Sequence, residues 1–246
     1  MIEHAILLSA GQGSRLLPLT AERPKCLIDF SGRSLIEWQV EMLARGGVKR
    51  IDVVTGFMTD MLEEHLNAIR DPRVDIQVRF NPFYKVADNL GSCWIAREAM
   101  RGDFLILNGD TLVSEEIVRK VQEPNGWPIA VTVDVKPDGY DSDDMKVERE
   151  ADGRLVHIGK TLTARQANAE SIGFLAFRGE GADLFRNTVR QAMRTPEGVQ
   201  HWYLKVIDSI APTGKVGTVS IEGLDWAEVD FLNDIEIATQ LTDTWG

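Results

Sequence analysis

The chain has 246 residues, 43% hydrophobic and 26% charged, with a formal net charge of −11. This length suits one large α/β domain, and the negative charge without a basic stripe argues against a nucleic-acid partner. No apolar run of about 18 residues is present, so membrane insertion is not expected. Two cysteines outside any CxxC pair and an N-terminus without a basic leader region predict a cytoplasmic protein without structural zinc.

The first half of the chain alternates predicted strands with predicted helices. Ser34 is placed to cap a helix with an apolar stripe. Further predicted strands and helices alternate after this helix. Alternating strands and helices predict a parallel sheet with helices on both faces. The predicted strands are 5–9, 51–54, 74–80 and 103–107, and the predicted helices are 35–43, 58–69 and 90–100.

The second half has a different pattern. An Asp152-Gly153 turn between 146–148 and 154–158 predicts a β-hairpin. This half therefore adds antiparallel strands to the parallel sheet. Its other predicted strands are 129–135, 172–177 and 216–221, and its predicted helices are 181–193, 201–210 and 232–241.

The most informative segment follows the first predicted strand and runs from Ser9 through Ala10, Gly11, Gln12, Gly13 and Ser14 to Arg15. Small residues here let backbone N–H groups approach a phosphate or a base edge. Arg15, and Lys25 after Pro24, could neutralise phosphate charge. A P-loop is absent, and Leu16 replaces the third glycine of a dinucleotide fingerprint, so a plain turn is the alternative at this point.

Together with Pro18-Leu19-Thr20 and Pro24-Lys25, this segment resembles the signature of the sugar-phosphate nucleotidyltransferase superfamily, L-A-G-G-x-G-x-R-L-x-P-L-T followed by P-K. The resemblance extends over nearly the whole chain. It implies a Rossmann-like, mostly parallel sheet of the nucleotide-diphospho-sugar transferase type, with added antiparallel strands and a small acceptor-side lobe. It also implies metal-dependent nucleotidyl transfer, with Arg15 and Lys25 on the phosphates. The expected organisation is one domain over 1–246, with a nucleotide-binding half (1–125) and an acceptor-binding half (126–246).

Carboxylates mark a candidate metal site. Asp110 follows Asn108-Gly109 at the end of a buried strand, where ligands bind in parallel sheets, although Asn-Gly-Asp also favours a plain turn. Glu228 and Asp230 would share one face of a strand, unless Asp230 is a solvated strand end or a helix cap. In the resembled superfamily a late E-x-D element supplies the second ligand. Asp110 and Asp230 are therefore the predicted Mg²⁺ pair, with Glu228 near the acceptor.

The predicted base-reading segment is Asn89-Leu90-Gly91-Ser92. It resembles the branch of cytidylyltransferases for phosphocholine, inositol phosphate and aminoalkylphosphonates, and short polar side chains could meet the cytosine edge. Capping of the following helix is the alternative. The resemblance thus implies CTP and Mg²⁺. The predicted nucleotide contacts are Ser9, Ala10, Gly11, Gln12, Gly13, Ser14, Asn81, Asn89, Gly91, Ser92 and Asn108.

The predicted acceptor contacts lie in the second half of the chain. Lys146 and Lys160 could face one side of the hairpin and bind the acceptor phosphate, or be ordinary exposed lysines. Glu170 and Glu228 could contact an amine or hydroxyls. Trp202, with Tyr203, could offer an aromatic face to a quaternary ammonium or belong to the core. The phosphocholine branch has an acid after the matching tryptophan, where this chain has Tyr203, which argues against phosphocholine itself.

The predicted reaction is Mg²⁺-dependent transfer of a cytidylyl group from CTP to a small phosphorylated acceptor, with release of pyrophosphate. A sugar-1-phosphate uridylyltransferase or another nucleotidyltransferase is one alternative. A non-catalytic nucleotide-sugar-binding regulatory module is another, but such proteins usually lose the metal acids or the lysine, whereas Arg15, Lys25, Asp110 and Asp230 are all present. A homodimer is one assembly open to the chain.

Overall fold

The computed structural model describes residues 1–137 and 139–245. Within them the strands are β1 (His4–Leu8), β2 (Asp29–Phe30), β3 (Arg33–Ser34), β4 (Arg50–Thr55), β5 (Asp75–Phe80), β6 (Phe104–Asn108), β7 (Thr111–Val113), β8 (Ile129–Asp134), β9 (Lys146–Arg149), β10 (Leu155–Ile158), β11 (Ala169–Phe177), β12 (Val216–Ser220) and β13 (Trp226–Glu228). The α-helices are α1 (Leu35–Arg45), α2 (Thr59–Ala68), α3 (Asn89–Ala96), α4 (Glu115–Gln122), α5 (Glu180–Ala192), α6 (Tyr203–Ile210) and α7 (Asp234–Asp243).

The parallel part of the main sheet is formed by the first half of the chain. β1 lies between β4 and β6, and β5 pairs with β4 at the edge, all in parallel. Apolar side chains cover β1 on both faces, because helices pack on both sides of a parallel sheet. The carboxyl ends of β1 and β6 therefore open at the same edge of the sheet, where ligands bind in folds of this kind.

The second half of the chain extends the sheet through the long strand β11. Its carboxyl-terminal part runs antiparallel to β6, and its amino-terminal part runs antiparallel to β9 of the β9–β10 hairpin. On its other edge β11 pairs with β8, which pairs in parallel with β12. The register shifts between Ser171 and Leu175, where Gly173 has a φ of +73°. The mixed sheet confirms the predicted fold class.

Helices cover both faces of the sheet, as predicted. One face packs against α1, α2, α4 and α7, and the opposite face packs against α3, α5 and α6. Ser34 caps α1 in a reciprocal capping box with Glu37. None of the described helices has the length and apolar character needed to cross a lipid bilayer.

Three short strands and one helix were not predicted. β2 and β3 have two residues each and β7 has three, so none of them shows a period-two pattern. Helix α4 has a clear apolar side formed by Ile117, Val118 and Val121, but it is only eight residues long. Several boundaries also differ from the predictions, since α3 ends at Ala96 and α7 begins at Asp234. Asp234 accepts hydrogen bonds from the backbone N–H groups of Asp230 and Phe231, which fixes the loop before the helix.

One buried carboxylate lies within the parallel strands. Asp52 on β4 is fully buried and contacts His4 Nε2 at 2.6 Å, Arg50 Nε at 2.9 Å and Arg79 Nε at 2.6 Å. Burial would raise the pKa of Asp52, but these three partners outweigh it and hold the pKa well below its ordinary value. The cluster therefore satisfies a charge that would otherwise be costly to bury.

Candidate active site

Two adjoining cavities lie at the carboxyl ends of β1 and β6. The smaller has a volume of about 260 Å³ and the larger about 840 Å³. Both are lined by Gly11, Gly13, Asn89, Asn108 and Asp110. The cavities thus form one cleft, with the glycine loop and Asp110 at their junction.

Glycine is present at positions 11 and 13 of the loop for different structural reasons. Gly13 has a φ of +73°, and a Cβ there would lie 2.8 Å from the Cβ of Lys25, so the residue lets the lysine stem pack closely. Buried Thr20 fixes this turn by donating to the Gly13 carbonyl at 2.9 Å. A Cβ at Gly11 would meet none of the described residues within 4 Å, and it would stand in the cleft. Gly11 thus leaves space that the fold itself does not fill.

The predicted cations and carboxylates come together at this junction. Lys25 Nζ lies 2.9 Å from Asp110 Oδ2 and 2.7 Å from Asp230 Oδ1, and Arg15 Nη1 lies 2.8 Å from Asp230 Oδ2. Burial would lower the pKa of Lys25, but the two carboxylates outweigh it and hold the pKa above its ordinary value. Lys25 is therefore charged at neutral pH.

A short two-stranded ribbon brings together carboxylates that are far apart in the chain. β13 runs antiparallel to β7, with Glu228 opposite Thr111, and the backbone N–H of Val229 donates to the carbonyl of Asp110 at 2.9 Å. Oxygens of Asp110, Glu228 and Asp230 consequently lie within 4.8 Å of one another. The structure adds Glu228 to the pair that was predicted from the sequence.

These three carboxylates fit a divalent cation. Hard oxygen ligands from one to three acids are typical of Mg²⁺ sites that also use phosphate oxygens. Glu228 is reached by solvent through the cleft, yet the surrounding protein and the charges of Asp110 and Asp230 raise its pKa to about 8. Mutual repulsion of this kind is relieved by positive charge, and the Lys25 and Arg15 side chains supply such charge at this cluster.

The predicted nucleotide contacts divide into two groups. Ser9, Ala10, Gly11, Gly13, Ser14, Asn89, Ser92 and Asn108 line the cleft. Three others have structural roles within the protein. Asn81 is buried and donates to Ser92 Oγ at 3.2 Å, Gln12 Nε2 contacts the carbonyl of Thr20 at 3.5 Å, and a Cβ at Gly91 would lie 2.8 Å from Ala87 Cβ.

Asn89 and Asn108 have structural partners as well as cleft positions. Asn89 Oδ1 accepts from the backbone N–H of Tyr203 at 2.9 Å, and Asn108 Oδ1 accepts from the Tyr203 hydroxyl at 3.2 Å. Tyr203 is fully buried, so its ring faces the core and not the cleft. The sequence was compatible with Tyr203 either contacting the acceptor substrate or belonging to the core. Its burial argues against the contact with the acceptor substrate.

On the predicted acceptor side, Lys160, Glu170, Trp202 and Glu228 line the larger cavity. Lys146 differs, because it is buried and its ammonium donates to the backbone oxygens of Lys160 at 3.1 Å and Ser142 at 3.4 Å. The predicted phosphate contact of Lys146 is therefore replaced by a contact that holds the hairpin to the preceding loop. The hairpin pattern in the sequence did not reveal that Lys146 is buried.

Several charged residues of the larger cavity were not predicted, namely Asp88, Asp134, Lys136, Asp141, Asp143, Asp144 and Asp234. Lys136 Nζ contacts Asp144 Oδ2 at 3.0 Å and Glu170 Oε2 at 2.8 Å, and Asp88 precedes α3 beside the glycine loop. Asp88 directly precedes the predicted contact Asn89, and Asp144 lies two residues before the predicted contact Lys146. No motif distinguishes Lys136 from an ordinary surface lysine, so it could be found only in the structure.

The fold is that of a nucleotidyltransferase. The chain belongs to the family described as Nucleotidyl transferase, whose model matches residues 4–143, and it is an enzyme of that family.

Among its relatives, the CTP:phosphoglutamine cytidylyltransferase of Campylobacter jejuni is 26% identical, with 95% of this chain and 98% of that protein aligned. The bifunctional IPC transferase and DIPP synthase of Aquifex aeolicus is 24% identical over 97% of this chain and 51% of that protein. The structure of the inositol-1-phosphate CTP transferase from T. maritima superposes with a TM-score of 0.80 at 21% identity, covering 98% and 97% of the two chains, which shows a shared fold.

Proposed function

We propose that this enzyme transfers a cytidylyl group from CTP to a small phosphorylated acceptor, with Mg²⁺ as its cofactor. The observation that carries the proposal is the cluster of Asp110, Glu228 and Asp230 with Lys25 and Arg15, at the junction of two cavities. Such a junction can hold the triphosphate, with room for the base on one side and for the acceptor on the other.

In the proposed reaction an oxygen of the acceptor phosphate attacks the α-phosphorus of CTP. The new phosphorus–oxygen bond forms as the bond to the β-phosphate breaks, and pyrophosphate leaves with that electron pair. The attacking oxygen is already ionised at neutral pH, so the site needs no strong general base. Its task is to position two anions and offset their repulsion.

Different residues of the cleft would bind the triphosphate, the metal ion and the acceptor phosphate. Lys25 and Arg15 can exchange their carboxylate partners for triphosphate oxygens, because both side chains already reach the cleft. Asp110, Glu228 and Asp230 would hold Mg²⁺, which supplies charge neutralisation to the phosphates. Lys160 lines the larger cavity and can meet the acceptor phosphate.

The choice of CTP rests on the smaller cavity and on the relatives. The smaller cavity, with a volume of about 260 Å³ beside Ala10 and Gly11, has room for a base. Ser92 Oγ accepts a hydrogen bond from Asn81, which leaves the Ser92 hydroxyl hydrogen for a further acceptor at the cavity wall. A relative aligned over nearly its full length is named as a cytidylyltransferase, which supports the same base.

A pyrophosphate-release assay tests the proposal. The four common NTPs and dTTP are combined with phosphoethanolamine, phosphocholine, aminoethylphosphonate, inositol phosphate and hexose 1-phosphates, with Mg²⁺ or EDTA. We expect CTP to exceed UTP by about tenfold or more in kcat/KM, because a buried polar site for one base leaves groups unpaired with the other. A comparable preference for UTP, or faster turnover of hexose 1-phosphates than of all other acceptors, would overturn the assignment.

A further inference from the structure

Part of the larger cavity, formed by β8, β11 and the segment between β8 and β9, is rich in acidic side chains. Lys136 lies among them and contacts two of the carboxylates. Lys146 is paired opposite Glu170, but its ammonium donates to backbone oxygens. This region therefore favours a ligand group with positive charge. The acidic residues that line it are Asp134, Asp141, Asp143, Asp144 and Glu170.

Glu170 is the group in this region whose hydrogen bonding is incomplete. Its side chain is almost fully buried, with the whole residue only 3% exposed, and its Oε2 accepts from Lys136 Nζ at 2.8 Å. Its Oε1 has no hydrogen-bond partner within the described residues. Lys136 also contacts Asp144 Oδ2 at 3.0 Å, so one ammonium serves two carboxylates. An unpaired buried oxygen of this kind is costly, and a ligand donor would relieve the cost.

The surroundings of Glu170 agree with a missing positive charge. Burial raises the pKa of Glu170 most, Lys136 opposes this, and the nearby Asp144 carboxylate raises it further, to about 7. A second cation beside Glu170 would favour its ionised form. The geometry, one lysine for two carboxylates and one free oxygen, leaves a place for that cation.

Trp202, Trp226 and Phe231 line the larger cavity, and basic side chains lie over two of these three rings. The Arg15 guanidinium lies 5.3 Å from the Phe231 ring centroid, and Trp226 donates from Nε1 to Asp134 Oδ2 at 2.8 Å. Trp202 is 41% exposed, but Lys160 Nζ lies over its ring at 4.9 Å from the centroid. Tyr203 is fully buried against the core. Recognition of a trimethylammonium group needs open aromatic faces, whereas an N–H-bearing ammonium needs oxygen acceptors. This end of the cavity offers the oxygen acceptors.

We propose that Glu170, with Asp144 beside it, binds a protonated primary amine of the acceptor, so that the preferred acceptors are aminoalkyl phosphates or phosphonates. This inference rests on the proposed nucleotidyl transfer and narrows its acceptor class. An alkylammonium supplies both the charge and the three donors that the site lacks. A polyol supplies donors without charge, and a trimethylammonium supplies charge without donors.

Three acceptors of matched length test the wild-type enzyme: 2-aminoethyl phosphate, its N,N,N-trimethyl derivative and 2-hydroxyethyl phosphate. With CTP and Mg²⁺, we expect kcat/KM for the amine to exceed that of both other compounds by about tenfold or more. The trimethyl compound offers no donor to the buried Glu170 oxygen, and the hydroxyl compound offers a donor without charge. Equal or faster reaction of the trimethyl or hydroxyl compound would overturn the subsite while leaving the transfer reaction intact. Absence of pyrophosphate release with every NTP and acceptor would instead overturn the proposed function, and the subsite with it.

The variant Glu170→Gln tests the residue itself, with Glu222→Gln as a matched control at an exposed position. We expect Glu170→Gln to lower kcat/KM for the amine by about tenfold, the loss of one charged hydrogen bond, and to change the hydroxyl compound much less. The Glu222→Gln variant should match the wild type with both. Equal losses for both acceptors would assign Glu170 a merely structural role and overturn the proposal. The wild-type acceptor ranking decides the question if Glu170→Gln fails to fold.

Discussion

Replacing Lys25 with methionine removes the cation that joins two of the three clustered carboxylates. Its Nζ lies within 2.9 Å of both Asp110 and Asp230, and its side chain is 13% exposed. Methionine keeps much of the apolar stem but leaves Asp110, Glu228 and Asp230 close together with only Arg15 in contact. We therefore expect the metal-free variant to be less stable than the wild type.

The size of this effect follows from the burial of the partners. Removing one member of a fully buried ion pair costs about 3–5 kcal/mol. Here the Asp110 and Asp230 side chains retain 23% and 25% exposure, so solvent screens part of the repulsion, and Arg15 still contacts Asp230. We expect the free energy of unfolding at pH 7 to fall by about 2–3 kcal/mol, a value between the buried and surface limits.

Urea denaturation with and without Mg²⁺ measures this change. Because Lys25 and a bound cation would compete for the same oxygens, Mg²⁺ should stabilise Lys25→Met more than the wild type and recover about half of the loss or more. Lys49→Met, at a lysine whose side chain is 67% exposed, is the control and should show little change. A metal-free variant as stable as the wild type, or the same deficit with and without Mg²⁺, would refute the reasoning.

Three further perturbations follow from the same geometry. Asp110→Asn and Asp230→Asn should each lower kcat by about two orders of magnitude with the melting temperature retained, and near-wild-type pyrophosphate release at saturating Mg²⁺ would remove that residue from the ligand set. Gly13→Ala should lower the free energy of unfolding, measured by urea denaturation, by about 1–2 kcal/mol, because φ at this position is +73°. The new Cβ should also displace Lys25 and lower kcat, whereas an unchanged kcat would mean that the lysine side chain adapts. Asp52→Asn should cost about 2–4 kcal/mol at neutral pH, since it removes a buried carboxylate with three partners. The folded-state pKa of Asp52 is depressed, so its contribution is present above the unfolded value of about 4 and is lost as the pH falls below it. Denaturation of both proteins from pH 7 to pH 3 should therefore show the difference shrinking, and a constant difference would exclude the charge as its cause.

Local patterns predicted the elements that carry their own signal. The strand before the glycine loop, the Ser34 cap and the Asp152-Gly153 hairpin each depend on residues close together in sequence, and each is present in the structure. The carboxylates of the candidate site were predicted because Asp110 ends an apolar strand and Asp230 belongs to a recognisable late motif. These residues needed no knowledge of the tertiary contacts.

The remaining features depend on contacts between distant segments. Lys146 has its ammonium bonded to the backbone of Lys160, and only the folded hairpin shows that this side is buried. Lys136 joins Asp144, in its own segment between β8 and β9, to Glu170 on β11. Patterns of period two indicate which residues share a face of a strand, but they do not reveal what that face packs against.

The ribbon of β7 and β13 has a consequence for how the enzyme matures. It joins residues 111–113 to residues 226–228, so the carboxylate cluster forms only after residues 226–230 have been made and have folded onto residues 110–113. The glycine loop and most of the smaller cavity are formed by residues before 111, which leave the ribosome much earlier. During synthesis the lining of the smaller cavity is therefore complete before Glu228 and Asp230 can join Asp110. The carboxylate cluster depends on the pairing of two segments that are far apart in the chain.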